Sequence, residues 1–267
     1  MKGVKVVLVI FCAVAITALG IDAADTLQGN DGTLFSQLGN GLEDGCPEGM
    51  VAVSNVPGIT CVDKFEAVTS EKCPIQEPSQ LLHTRQNLDE SDCKAASVSG
   101  KLPWRFVSRD QAVQMCARSN KRLPTSEEWY ALSVGMTNPE ATCNIASNRL
   151  ADTGSHTECS SPVGVHDLVG NVWEWVSDDV IDGVYNARLL PQSGYVAQVD
   201  SHGVATVASS TPNEMFESDY FWSETSGAFG IIRGGYYDSG TDGGVYTVHA
   251  DVLPTSSGPG IGFRCVL

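Results

Sequence analysis

The chain has 267 residues, with 16 Lys and Arg against 32 Asp and Glu and a formal net charge of −16 at pH 7. That acidic balance argues against nucleic acid and anionic membrane as partners. The length could make one large domain or two small ones and nothing resembling an internal linker splits it, while 27 glycines and 18% charged residues suggest a loop-rich fold with a sizeable core.

At the N-terminus, Lys2 and Lys5 precede an apolar run from Val6 to Leu19 and small residues around Gly20 and Ala23. This predicts a secretory signal peptide over residues 1–20, cleaved after Gly20, with Ala23 or Ala24 as competing sites and a retained anchor as the alternative. The run is short for a bilayer, so no stable membrane span is expected after cleavage. Residues 21–45 are polar and rich in Gly and Asp, and read as a flexible arm before a domain spanning 46–267. Beyond Cys12 the cysteines form an even set of eight, which behind a signal reads as disulfides and a secreted, extracellular or cell-surface location. No CxxC pair occurs, so zinc is not expected.

Cys46 and Cys61 bracket MVAV and a Pro57-Gly58 turn, which suggests a hairpin closed by a Cys46 to Cys61 bridge. The stretch from Thr69 to Leu102 reads as irregular, with Cys73 and Cys93 as its natural local pair. Sequence alone leaves connectivity open. Ser108 with Gln111 forms a capping-box pattern for a helix over Arg109 to Ser119, whose Ala112, Met115 and Cys116 share one apolar face. Thr125 with Glu128 predicts a second helix to about Val134, stopped by Gly135. Cys143 and Cys159 flank a Ser/Thr/Asp/Gly-rich segment and are expected to close it.

The stretch GVHDLVGNVWEWVSD, residues 164–178, reads as a loop that becomes a strand. Alternation sends Trp173 and Trp175 to one face and Val172, Glu174 and Val176 to the other. The carboxylates of Asp167 and Glu174 and the main-chain carbonyls of Gly170 and Val172 make a ladder of oxygens suited to calcium. The plainer alternative is a buried Trp pair beside a solvated Glu. From Asp178 to Gly227, short pieces rich in Asp, Ser, Gly and Tyr read as long surface loops and hairpins.

Catalytic chemistry has little to stand on. The five histidines carry no H-x-x-H or H-x-x-x-H pair, and GxSxG is absent. His249 and Asp251 can be drawn with Ser239 as a hydrolytic triad, but no nucleophile elbow frames the serine. No catalytic residue is assigned.

Four ordered segments carry a resemblance: GMVAVSNVPGITCVDKFEAVTS, QAVQMCARSNKRLPTSEEWYAL, GVHDLVGNVWEWVSD, and IIRGGYY with IGFRC. Together they resemble the formylglycine-generating enzyme (sulfatase-modifying factor) family from about Gly49 to Cys265. The resemblance implies a mixed α/β (α+β), C-type-lectin-like fold, with structural calcium at Asp167, Gly170, Val172 and Glu174. Asn144 and Ile145 resemble the start of a second calcium site. It also implies a bridge from Cys116 to Cys265. The family's oxidase grips copper with two thiolates, as soft Cu(I) requires. Carried onto RGGYYDSGTDGG, those positions fall on Ser239 and Gly244, so no copper and no formylglycine-generating activity are expected.

The segment Tyr236 to Gly260 is rich in Tyr, Ser, Gly, Asp and Thr, a composition that suits adaptable binding surfaces. Between RGG and IGFRC it is also similar to the variable regions of retroelement-diversified proteins, whose adenine replacement cannot yield Lys, Glu, Gln, Met or Trp. None of these five occurs from Arg233 to Leu267, although a fixed Gly-rich surface would lack most of them too. The reading is therefore a secreted or surface-displayed binding module for an unknown protein or glycan, contacted through Tyr236, Tyr237, Asp238, Ser239, Asp242, His249 and Asp251. An oxidoreductase of altered chemistry and a structural cell-envelope component are the alternatives.

Overall fold

A computed structural model describes residues 42–43, 45–136 and 139–267. The expected signal peptide, and most of the expected arm, lie outside the described residues. The chain divides into two units, Met1–Gly45 and Cys46–Leu267. The first contributes the short strand β1 (Leu42–Glu43).

The second unit opens with β2 (Cys46–Pro47) and an antiparallel hairpin of β3 (Met50–Ala52) and β4 (Cys61–Asp63). A second pair, β5 (Ala67–Thr69) with β6 (Ala95–Ser97), flanks helix α1 (Leu81–Asp89). The expectation of irregular chain here is corrected. Helix α1 hides from sequence because its buried residues are polar Thr84 and Asn87 and its N-cap Gln80 makes no side-chain capping bond. The Asn87 amide accepts from Ile75 N and donates to Ile75 O, so the helix is fastened by hydrogen bonds instead of an apolar stripe.

Helices α2 (Arg109–Arg118) and α3 (Ser126–Ser133) each start with a complete capping box, Ser108 with Gln111 and Thr125 with Glu128. Short α4 (Pro139–Thr142) follows. The remaining strands are β7 (Trp173–Ile181), β8 (Val184–Tyr185), β9 (Arg188–Leu189), β10 (Gly194–Val199), β11 (Ala205–Ser209), β12 (Tyr220–Ser223), β13 (Ala228–Arg233), β14 (Val248–Val252) and β15 (Ile261–Phe263). They form one nine-stranded sheet in the order β11-β10-β12-β14-β13-β7-β8-β9, with β15 parallel to the start of β7. The region from Asp178 to Gly227, expected as surface loops and hairpins, does form the hairpins β8-β9 and β10-β11, and these join the main sheet rather than lying apart as surface loops.

Side chains alternate between the two faces of this sheet and build two cores. Phe221, Val248, Ala250 and Ile231 pack with Trp129 and Leu132 of α3. Trp173, Trp175, Ile232 and Phe263 pack with Ala112, Met115 and Cys116 of α2. Four disulfides join Cys46 to Cys61, Cys73 to Cys93, Cys116 to Cys265 and Cys143 to Cys159. The fold is mixed α+β. Among the described residues no helix is long and apolar enough to cross a membrane.

Candidate functional site

The loop after β13 is placed by close backbone approach. At Gly234, with φ of +91°, an added Cβ would lie 2.2 Å from the Leu168 carbonyl oxygen, so no other residue fits there. From that point Tyr236 to Gly243 folds onto the segment after α4. Gly240 N–H donates to Ile145 O, Asn148 N–H donates to Tyr237 O, and Asp238 bridges to Ala146. Tyr236 and Tyr237 are half-buried with rings edge-on at 5.0 Å, and burial pushes the Tyr236 phenol up. Asp238 is exposed. The Ser239 hydroxyl accepts from Tyr236 N–H within its own turn.

His249 and Asp251 come together on β14, with Nδ1 2.9 Å from Oδ1. No hydrogen bond joins Ser239 to either, so the triad does not form. Asp242 is half-buried, and burial pushes its carboxyl up against the pull of nearby His249. The geometry adds what sequence reasoning missed. The His249 ring lies flat on Trp222, centroids 3.9 Å apart at 6°, and meets the edge of Trp173 at 5.0 Å. The row continues from Trp222 to Tyr220 at 4.7 Å and from Tyr220 to Tyr195 at 5.1 Å. Register explains it, since Trp222 pairs with His249 across β12 and β14, and Tyr195 with Tyr220 across β10 and β12. The alternation Tyr-x-Trp in YFWS was the available signal. Helix α2 covers Trp175 at one end of this face, while Trp222, Tyr220, Tyr195 and His249 stay half-exposed.

The calcium expectation is overturned. The Glu174 carboxylate is fully buried and occupied by a cation already, the guanidinium of Arg264, whose Nε lies 2.9 and 2.8 Å from its two oxygens. Trp129 Nε1 donates to the same carboxylate at 2.8 Å. Asp167 accepts from Gly154 N–H, and burial pushes its carboxyl up to about 6. Val172 N–H and the Asn171 amide are taken by buried Glu66, whose carboxyl is pushed well up by burial and by neighbouring Asp167 and Glu174. At Gly170 the backbone lies against Asn144, whose side chain is bonded to Asn171, Ser147 and Arg149. The Ile145 carbonyl accepts from Gly240. Hydrogen bonds within the protein thus occupy the carboxylates of Asp167 and Glu174, the Asn144 side chain and the Ile145 carbonyl. Among the described residues no group of three or more His, Cys, Asp or Glu could hold a metal ion.

The eight cysteines of the described residues are all engaged in disulfides, so none is free to join a copper-binding thiolate pair. At Gly244 an added Cβ would lie 2.1 Å from a carboxylate oxygen of Asp219. Asp219 is buried and accepts from Tyr246 N–H, and burial pushes its carboxyl up to about 7.

Residues 59–267 match the family model described as the sulfatase-modifying factor enzyme 1-like domain. The chain belongs to this family. Its sulfatase-modifying factor domain stands without the free thiol pair on which formylglycine-generating oxidation depends. No curated protein matches the sequence. Solved structures similar to it include the Major Tropism Determinant P3c variant, 17% identical over 83% of this chain and 52% of that one, with a TM-score of 0.45. PvdO from Pseudomonas aeruginosa is 14% identical over 82% of this chain and 90% of that one, at 0.43. CarF is 14% identical over 82% and 94%, at 0.42. The chain spans about half the length of the Major Tropism Determinant chains it matches.

Proposed function

We propose that this sulfatase-modifying factor domain is a binding module, secreted or displayed at a cell surface. It is built on a C-type-lectin-like scaffold over residues 46–267, behind a signal peptide and a short arm. Its ligand surface combines Tyr236, Tyr237, Asp238, Ser239, Asp242, His249 and Asp251 with the rings of Trp222 and Trp173. The observation that carries this reading is the flat stack of His249 on Trp222 beside Asp251, half-exposed on the sheet face whose other end helix α2 covers. Rigid half-exposed rings next to paired polar groups supply contact area at low entropic cost. Where the family's oxidase needs sulfur, Ser239 and Gly244 leave shape and polarity as the available tools.

The test screens the full chain against arrayed glycans and a displayed random-peptide library, in parallel with the Trp222→Ala and His249→Ala variants. Selective binding by the native chain that both variants lose supports the reading. Binding indifferent to both, or conversion of a cysteine peptide to an aldehyde by the purified protein, overturns it. In the finer reading of a retroelement-diversified segment, sequences of this locus from several isolates differ within Tyr236 to Gly260. An invariant segment removes that version.

A further inference from the structure

The aromatic row does not stop at Trp222. It runs over Tyr220 and Tyr195 into a cleft of about 630 Å³ where β10 begins, β11 ends and β12 begins. That volume lies within the roughly 300–1,000 Å³ typical of small-molecule sites. We infer that this cleft is a subsite for a neutral oligosaccharide, laid along Tyr195 and Tyr220 and continuing toward Trp222 and His249. The inference rests on the binding-module reading and specifies what chemistry that surface takes.

Three observations point to a neutral sugar. First, the lining carries no charged side chain, in a chain whose net charge is −16. Such a cleft offers an anionic glycan or phosphate no partner and a repulsive surrounding field. Second, its polar groups divide into two sets. Ser193 and Ser209 spend their hydroxyls inside the protein, on Ser223 and on Thr211, which fixes the walls. The side chains of Gln192 and Ser210 and the phenols of Tyr195 and Tyr220 form no hydrogen bond among the described residues, so they remain available to ligand hydroxyls. Third, the floor is two tyrosine rings held edge-to-face at 77° by cross-strand pairing. A pyranose has the complementary form, an apolar C–H face to lie on a ring and a rim of hydroxyls to meet amide and hydroxyl groups. A peptide is a poorer fit, because strand addition would use the free edge of β11, and the cleft lies at the end of that strand.

The experiment titrates the full chain with malto-, cello- and chito-hexaose and with a sulfated heparin hexasaccharide, read by calorimetry and by tryptophan fluorescence from Trp222. Saturable binding of at least one neutral hexasaccharide is expected, unchanged between low and high salt. Tyr195→Ala and Tyr220→Ala should weaken it about three- to tenfold each, the scale of one lost ring contact. Tyr220→Phe, which keeps the ring, should stay nearer to the native value. Ser210→Trp, at an exposed position that no core contact uses, should fill the cleft and abolish binding without lowering Tm. Absence of binding by all three neutral sugars, preference for the sulfated one, or full affinity in Ser210→Trp overturns the inference. If the neutral sugars fail while a selected peptide binds in a Trp222-dependent way, this subsite falls and the binding-module reading stands. If no ligand of either kind depends on Trp222 or Tyr220, both fall.

Discussion

Arg264 lays its guanidinium against the Glu174 carboxylate in the centre of the domain, with both side chains fully excluded from solvent. The pair ties the closing IGFRC segment to β7, and Arg264 also donates to the carbonyls of Asp63 and His166. Burial alone would lower the Arg264 pKa, but the facing Glu174 outweighs it and holds the cation above its ordinary range. Removing one partner leaves a buried charge without compensation, so Arg264→Met or Glu174→Gln alone should each cost about 3–5 kcal/mol in urea denaturation. The double variant Glu174→Leu with Arg264→Met should recover much of that loss. Additive losses in the double variant would show that the two residues act independently.

The same pairing predicts indifference to calcium. A ligand that binds only the folded state raises Tm with its concentration. Since Glu174 is committed to Arg264 and Asp167 to Gly154, Tm should stay within about 1 °C between millimolar calcium and EDTA. A rise of several degrees that saturates with calcium would contradict it.

What the sequence made legible follows the strength of local chemistry. Capping boxes at Ser108 and Thr125 announced α2 and α3 within a residue or so, because both partners of each box are local. Helix α1 and the joining of the hairpins after Ile181 to the main sheet escaped because they depend on partners outside each segment, Asn87 on Ile75 and β10 on β12. Calcium at residues 167 to 174 is implied by the family resemblance, and spacing along one segment cannot correct it, because Arg264, 90 residues from Glu174, brings the counter-charge. Likewise His249 and Asp251 could be paired from their spacing, whereas Trp222 joined them only through sheet register.

Asp219 should make stability fall with pH. Burial pushes its carboxyl from the ordinary 3.8 up to about 7, the Tyr246 N–H offsetting and Glu217 adding to the shift. Below pH 4 it is protonated folded or unfolded, and its favourable contribution is fully present. Between about pH 4 and 7 the folded state holds a proton that the unfolded chain has lost, so that contribution is lost as pH rises and stays lost above about 7. Asp219→Asn should flatten this slope, its Tm advantage over the native chain growing from pH 4 to 7.5. Parallel Tm profiles for the two proteins would rule out Asp219 as the source.

The Cys116 to Cys265 bridge closes a loop with a sequence separation of 149 and pins the segment just after the last strand to α2. In the chain-entropy model so long a loop gives a large constraint on the unfolded state. Replacing both with Ala should cost about 2–5 kcal/mol, and more than the same change at Cys143 and Cys159, whose separation is 16. Paired urea titrations of the two double variants decide the order; equal losses would mean native-state packing, and not loop length, sets the cost.

Restoring sulfur to the family's copper positions should not restore copper. Ser239→Cys is expected to be tolerated, since its Cβ already exists and only the bond from Tyr236 N–H is exchanged. Gly244→Cys is different, because its Cβ would fall 2.1 Å from the Asp219 carboxylate, which is itself buried and bonded to Tyr246. Something must move, and overpacking of this kind costs about 1–3 kcal/mol. The double variant should therefore melt lower than the native chain and bind Cu(I) no better than a surface dithiol. Adding Asp219→Gly should recover stability and tighten Cu(I) binding, measured by competition with a chromogenic chelator. Tight copper binding in the double variant with Asp219 in place would show that the carboxylate is not what closes the old site.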